Sequence, residues 1–254
     1  MAVSVIVPSY KSEEFIDQAL HSIRGKDIQL IVIEDKDGIG PAEARNRGLA
    51  RATGEFIVFC DSDDYMEPGA IDLMREEIEG VDLVCGSFRK FGNFEMKVTH
   101  KTDVLFPVDL AYYVMSNLKN PSKNQMLSGC WAKMFRMDRV VSFPDLTTAE
   151  DMAFNFSYLK KCERVRFLSN IVYHNRKRQG SLSTTFDEKN KPGLFGFLKG
   201  LKYVRSFLLP YYPIEEIDDA IDSSKVYHAA LYALRMSGLS TTEIKKVLLS
   251  INYG

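Results

Sequence analysis

Apolar positions along the first sixty residues fall into alternating short runs and stripes. "VSVIVP" (3–8) is a continuous apolar run, the pattern of a strand covered on both faces. "SEEFIDQALHSIRG" then repeats Phe15, Ile16, Ala19, Leu20 and Ile23 at helical spacing, with Ser12 as the expected N-cap and Gly25 as the stop. "QLIVIED" (29–35) reads as a second buried strand and "PAEARNRGLARATG" as a helix, with Pro41 near its first position and Gly54 at its end. "EFIVFCD" is the third strand. Strand, helix, strand, helix, strand with buried strands predicts a parallel α/β sheet.

Beyond residue 80 the rhythm changes. "VDLVCGSF" (81–88) and "FEMKVTH" (94–100) predict further strands, so the sheet is expected to be mixed but mainly parallel. "EDMAFNFSYLKKC" (150–162) predicts a helix, and "RVRFLSNIVYHNR" (164–176) a strand running into a basic loop. From about residue 194 the pattern is helical. The expected division is a catalytic α/β domain over 1–190 and a helical C-terminal extension over 191–254.

Composition narrows the partners. The chain has 254 residues, 45% of them hydrophobic, enough for a sizeable core. With 33 basic against 34 acidic residues the formal net charge is −1, which excludes a general nucleic-acid coat. Cys60, Cys85, Cys130 and Cys162 are widely spaced and contain no CxxC pair, as expected of buried thiols in a reducing compartment. The N-terminus carries no basic segment before a long apolar core, and no apolar run approaches the roughly 18–20 residues of a membrane span. A soluble, cytoplasmic protein is expected.

Ligands of open α/β sheets bind at the carboxyl ends of the strands. Three polar clusters fall there: Pro8-Ser9-Tyr10, Glu34-Asp35, and Asp61-Ser62-Asp63-Asp64. Three aspartates within four positions repel one another and are costly to desolvate, so something positive should hold them. Their hard oxygens suit Mg²⁺ or Mn²⁺ completed by water and substrate phosphates. The plain alternative is a solvated turn, since Asp, Ser, Pro and Gly are turn formers.

The blocks "VSVIVPSYKSEEFIDQALHSI", "ARNRGLARATGEFIVFCDSDDYMEPG", "AEDMAFNFSYLKK" and "YHNRKRQGSLS" resemble, in order, those of the family-2 inverting glycosyltransferases with the GT-A fold. The resemblance spans most of residues 1–185. It implies a nucleotide-sugar donor, a divalent cation (Mn²⁺ or Mg²⁺) at the DxD, and a glycan or lipid-linked glycan acceptor. Pro8, Ser9 and Tyr10 would then line the nucleotide pocket, Asp35 would meet the base, Asp61 the ribose, and Asp63 the metal. Arg45 would sit near the nucleotide or brace Asp35. Asp151 matches the catalytic base, with Glu150 as its rival. Adjacent helical residues face different directions, so one of the two is expected to reach the acceptor; alternatively both are simply acids favoured in a first helical turn. Arg176 and Arg178 could meet the donor diphosphate. His174 could be a metal ligand, a diphosphate contact or a structural residue. Trp131 matches an acceptor-side aromatic and could equally be a core residue, while Lys133 could brace acidic groups.

Two stretches depart from or add to this pattern. "VIEDKDGIGPAEARN" passes almost directly from the second strand to the ARN helix, so a helix–strand pair of the nucleotide half is missing, at what would be the sheet edge. A relative that binds nucleotide-sugar without catalysis is therefore the alternative to an active transferase. "GLFGFLKGLKYVRSFLLPYY" (193–212) interleaves apolar residues with Lys199, Lys202 and Arg205. It could lie peripherally on anionic lipid at the inner membrane face, pack onto the catalytic domain, or form a homodimer contact. A nucleotidyltransferase or dehydrogenase would want a Gly-rich loop after the first strand, and "VPSYKSEEF" has none.

Overall fold

A computed structural model describes residues 1–92, 95–119, 129–146, 148–177 and 191–236, without the side chains of 191–195 and 229–236. Strand β1 (Val3–Ser9) lies parallel to β2 (Ile28–Glu34) on one side and β3 (Phe56–Phe59) on the other. Helices α1 (Ile16–Ser22) and α2 (Pro41–Leu49) make the two crossovers. Then come β4 (Tyr65–Met66), α3 (Ala70–Glu77), β5 (Leu83–Gly92), β6 (Met96–Val98), β7 (Asp103–Leu105) and α4 (Pro107–Lys119). β8 (Lys133–Arg136), α5 (Glu150–Leu159), β9 (Val165–Lys177), α6 (Lys191–Leu208) and α7 (Ile214–Met236) complete the order.

The strands form one mixed sheet in the order β2-β1-β3-β8-β5-β9-β4, with β6 beside β5 and β7 beside β9. The parallel pairings β1–β2, β1–β3 and β5–β9 carry most of the paired residues. Helices cover both faces, which explains the continuous apolar runs. In β3, Ile57 and Phe59 enter one core cluster while Phe56 and Val58 enter the other.

Two expectations are corrected. Ser12 does not cap α1; the helix starts at Ile16, and the Ser12 hydroxyl instead meets Ser9 Oγ at 2.9 Å. β2 is not buried on both faces: Ile31 and Ile33 point inward while Leu30 is 43% exposed. The reason is its position. β2 is an edge strand among the described residues.

Close approach requires glycine at two packing points. A Cβ on Gly48 would lie 2.3 Å from Ile6 Cγ2, so α2 can rest on β1 only without one. At Gly196 of α6 it would lie 1.9 Å from Thr148 Oγ1 and 2.6 Å from the Thr148 carbonyl. Helix α6 thus seats against the segment that leads into α5. Its apolar face is used internally: Leu201, Val204, Phe207 and Leu208 are buried with Ile217, Ala220 and Ile221 of α7, in the same cluster as Phe59 and Phe154. Packing onto the α/β core is therefore the outcome for this stretch. No helix among the described residues is long and apolar enough to cross a membrane. Gly196→Ala is expected to lose about 1–3 kcal/mol through overpacking, read as a lower urea midpoint at unchanged slope.

Candidate active site

β1 and β3 end side by side, and the chain beyond β3 turns at Asp61. Helix α2 runs along the same side of the sheet and carries Arg45, which is 4% exposed. Its guanidinium collects three carboxylates: Nη2 lies 2.9 Å from Asp61 Oδ1, and Nη1 lies 2.9 Å from Glu150 Oε1 and 2.8 Å from Asp151 Oδ1. The ring of Phe143 lies 5.5 Å from the guanidinium carbon. The side-chain amide of Asn46, the next residue, fixes the Phe143 backbone: Nδ2 donates to its carbonyl at 2.9 Å and Oδ1 accepts its amide at 2.8 Å.

Electrostatics follow from the count of charges. Burial works against the Arg45 cation, but Asp151, Cys130, Asp61 and Glu150 outweigh it and raise its pKa further. Burial and the neighbouring Asp151 push Glu150 up to about 7, against the pull of Arg45. Burial also raises Asp151, opposed by Arg45 and reinforced by Asp61. One cation among three carboxylates leaves the site holding a proton near neutrality.

Glu150 and Asp151 both reach Arg45, although they are adjacent in the helix. They are the first two residues of α5, and Ala149 before them adopts the left-handed conformation at φ 61°. That turn, and the longer glutamate side chain, bring both carboxylates to one nitrogen. Arg45 is corrected in its partner: it does not brace Asp35. Asp35 instead accepts the amides of Ile39 at 2.8 Å and Gly40 at 2.9 Å. Burial opposes its ionisation, yet these amides, with those of Gly38 and Asp37, hold its pKa below the usual value.

The other aspartates are held differently. Asp64 is 1% exposed and accepts Tyr173 Oη (2.8 Å), Asn175 Nδ2 (2.9 Å) and the Arg176 amide (2.6 Å). Burial, with the charges of Asp61 and Asp63, pushes its pKa up to about 8. Asp63 remains partly exposed, and its carbonyl accepts Arg176 Nε at 2.9 Å. The Arg176 guanidinium lies 4.7 Å from the rings of both Phe15 and Phe91. His174 pairs with Glu67 and stacks on Tyr65 at 4.3 Å. Trp131 is 8% exposed, stacked on Tyr173 at 5.2 Å. Lys133 donates to the Gly129 carbonyl at 2.5 Å.

Pro8 and Ser9 are partly buried at the end of β1, and Tyr10 is 48% exposed just beyond. Arg178 lies outside the described residues. The sequence reading missed Tyr173, Asn175, Asn46 and Phe143. For the first two a signal existed, since alternation along β9 puts 173 and 175 on one face.

A sequence profile described as Glycosyl transferase family 2 matches residues 26–141. That match covers just under half of the chain, which over those residues is similar to the family. It is 26% identical over 219 residues to "Uncharacterized glycosyltransferase EpsJ" of Bacillus subtilis, covering 71% of this chain and 62% of that one. It thus spans less than two thirds of that relative's length. Among solved structures, Staphylococcus aureus TarS residues 1–349 in complex with UDP-GlcNAc superposes with a TM-score of 0.66 at 20% identity, over 100% of this chain and 77% of TarS. Glucosyl-3-phosphoglycerate synthase from Mycobacterium tuberculosis, in complex with Mn²⁺, UDP and phosphoglyceric acid, superposes with a TM-score of 0.54 at 18% identity, over 80% and 78%. The chain therefore has the mixed, helix-flanked sheet of the GT-A fold.

Proposed function

We propose that this chain transfers a sugar, with inversion, from a nucleoside-diphosphate sugar, most simply a UDP-sugar, to a hydroxyl of a surface polysaccharide or glycolipid. The observation that carries this reading is the convergence of Asp61 and the Glu150–Asp151 pair on buried Arg45. There a carboxylate just beyond β3 lies beside a carboxylate pair with raised pKa at the start of α5. The family-2 profile match and the similarity to TarS, solved with UDP-GlcNAc, give the donor class its support.

In this reading Asp151 accepts the proton of the acceptor hydroxyl as that oxygen bonds to the anomeric carbon. The anomeric carbon–oxygen bond to the diphosphate breaks, and the nucleoside diphosphate leaves with the electron pair. Glu150 and Arg45 orient Asp151 and set its charge. Pro8, Ser9, Tyr10 and Asp35 border the nucleotide side.

Among the described residues no three acidic, histidine or cysteine side chains converge into a metal cage, so a divalent cation here would rest on few protein ligands. Asp63 offers a partly exposed carboxylate beside Asp61, and the negative field of both is already visible in the raised pKa of Asp64. Asp63 would hold the ion, with substrate oxygens and water completing the shell. When bound, such an ion neutralises charge developing on the departing diphosphate.

The test is calorimetry of the full chain against UDP, GDP and their sugars, with Mn²⁺ and then with EDTA. Binding to one nucleotide that needs the metal is expected, and Asp63→Ala should remove the metal-dependent part. Equal binding in EDTA would sink the cation assignment, and no binding at all would sink the donor reading.

A further inference from the structure

Well away from the carboxylates, the fold builds a second opening with aromatic walls. Leu105 at the end of β7 and Val108 and Tyr112 of α4 face Tyr211 and Tyr212 of the α6–α7 turn, around about 500 Å³ of open volume. Tyr113 lines it from a half-buried position. Leu105 pairs with Val165, ten residues before Asn175, the β9 residue that holds Asp64. At roughly 3.3 Å per residue the cleft lies about 30 Å along the strand from the aspartates.

Six exposed large apolar side chains gather on these two segments: Phe106, Val108, Tyr112, Leu209, Tyr211 and Ile214. Single exposed apolar residues are ordinary, but Val108, Tyr112 and Tyr211 line the one cleft together, and such a group marks a contact surface. Tyr112, 73% exposed, is the most prominent.

The wall chemistry narrows the occupant. Each tyrosine presents a flat apolar ring and one hydroxyl. Burial holds the Tyr113 phenol above its usual range, and burial with Glu216 nearby does the same for Tyr212, so both stay protonated and can donate. The rim is acidic. Asp109 lines the cleft and caps α4 through the Phe106 amide at 3.0 Å, and Glu215 and Glu216 follow Ile214, the latter paired with Lys119 at 2.9 Å. Anionic lipid would be repelled by such a rim. A pyranose chain offers the complement: flat C–H faces for the rings and a fringe of hydroxyls for the phenols and Asp109.

We propose that this cleft is a secondary polysaccharide-binding subsite, in which Tyr112 and Tyr211 stack on sugar rings while Asp109 and the inner tyrosines take their hydroxyls. Proline-rich peptides also dock in tyrosine-lined grooves, so the choice of a sugar chain rests on the glycan acceptor proposed above. A polymer held here would raise its own effective concentration at the distant carboxylates without new contacts there.

The experiment uses the full chain with neither donor nor metal, titrated with cellohexaose and with N-acetylchitohexaose and followed by saturation-transfer NMR. At least one hexasaccharide should bind, and Tyr112→Ala and Tyr211→Ala should each weaken it about tenfold, the equivalent of one lost aromatic stack. Both positions are exposed, so unchanged melting curves should accompany the loss. The proposal is overturned if neither sugar binds, if both variants bind as well as wild type, or if a polyproline peptide, phosphatidylcholine vesicles or self-association proves sensitive to these variants while the sugars do not. A failure of donor binding would leave a positive result here intact, and a negative result here would leave the transfer reading intact.

Discussion

Asp151→Asn is expected to lower the rate of sugar transfer by about 10²–10⁴-fold, the span a positioned general base contributes, while metal-dependent donor binding persists. The substitution keeps the side chain's shape and removes its charge. Arg45 retains Asp61 and Glu150, each at 2.9 Å, so the fold around it should hold. The pH profile gives a second readout. A base must be ionised to work, and the pair around Arg45 releases its last proton near 7, where burial and Asp151 have placed Glu150. Wild-type activity should therefore rise with pH on a limb above the ordinary carboxylate range. Glu150→Gln removes the neighbouring negative charge, so Asp151 ionises more readily and the limb should move to lower pH. If the Asn variant transferred at the wild-type rate, the base would lie elsewhere, with Glu150 first in line. If the wild type bound donor and never transferred, the chain would be a non-catalytic binder.

The parts of this fold legible in the sequence were those set by local pattern. β1, α2, β3, α5 and β9 all follow from runs, stripes and Pro41 at a helix start, because each is fixed by its own residues. The burial of β2 was not legible. "QLIVIED" is apolar enough for a central strand, and only the absence of an outer neighbour leaves Leu30 exposed. The start of α1 was missed for a related reason. Ser12 has the chemistry of a cap, but its hydroxyl finds Ser9, and Phe15 and Ile16 take the Ser12 carbonyl instead.

The candidate site was half legible. Charge arithmetic required something positive among the aspartates, and the sequence offered a metal. The structure adds a guanidinium from residue 45 for Asp61 and neutral donors from β9 for Asp64. Those partners are 16 and 109 to 111 residues away, a separation no local pattern encodes. His174 shows the same limit. Its sequence context left three roles open, and only the pairing of β4 with β9 delivers Tyr65 and Glu67 to it.

Arg45→Met is expected to be the most damaging single change to stability. Removing one partner of a buried ion pair costs about 3–5 kcal/mol, a large share of the roughly 5–15 kcal/mol that holds a domain folded. Here the loss leaves three carboxylates facing one another with no cation. Without the guanidinium, the folded-state pKa values of Glu150 and Asp151 should rise further above their unfolded values near 4. An acid with a raised folded pKa binds more protons folded than unfolded. Its stability is kept at low pH and lost as pH climbs from about 4 through the folded value. In the wild type that upper end is already about 7 for Glu150, so in the variant the window should extend higher. Urea midpoints of variant and wild type should therefore differ most near pH 8 and draw together toward pH 5. Adding Glu150→Gln to Arg45→Met should recover part of the loss, because one charge of the three is gone, whereas Arg45→Lys should fall between, keeping the charge but lacking the planar fork that reaches three partners. Equal midpoints at pH 8 would mean that Asp61, Glu150 and Asp151 find their compensation in water rather than in Arg45, and the coupling of the donor-side strand end to α5 would have to be abandoned.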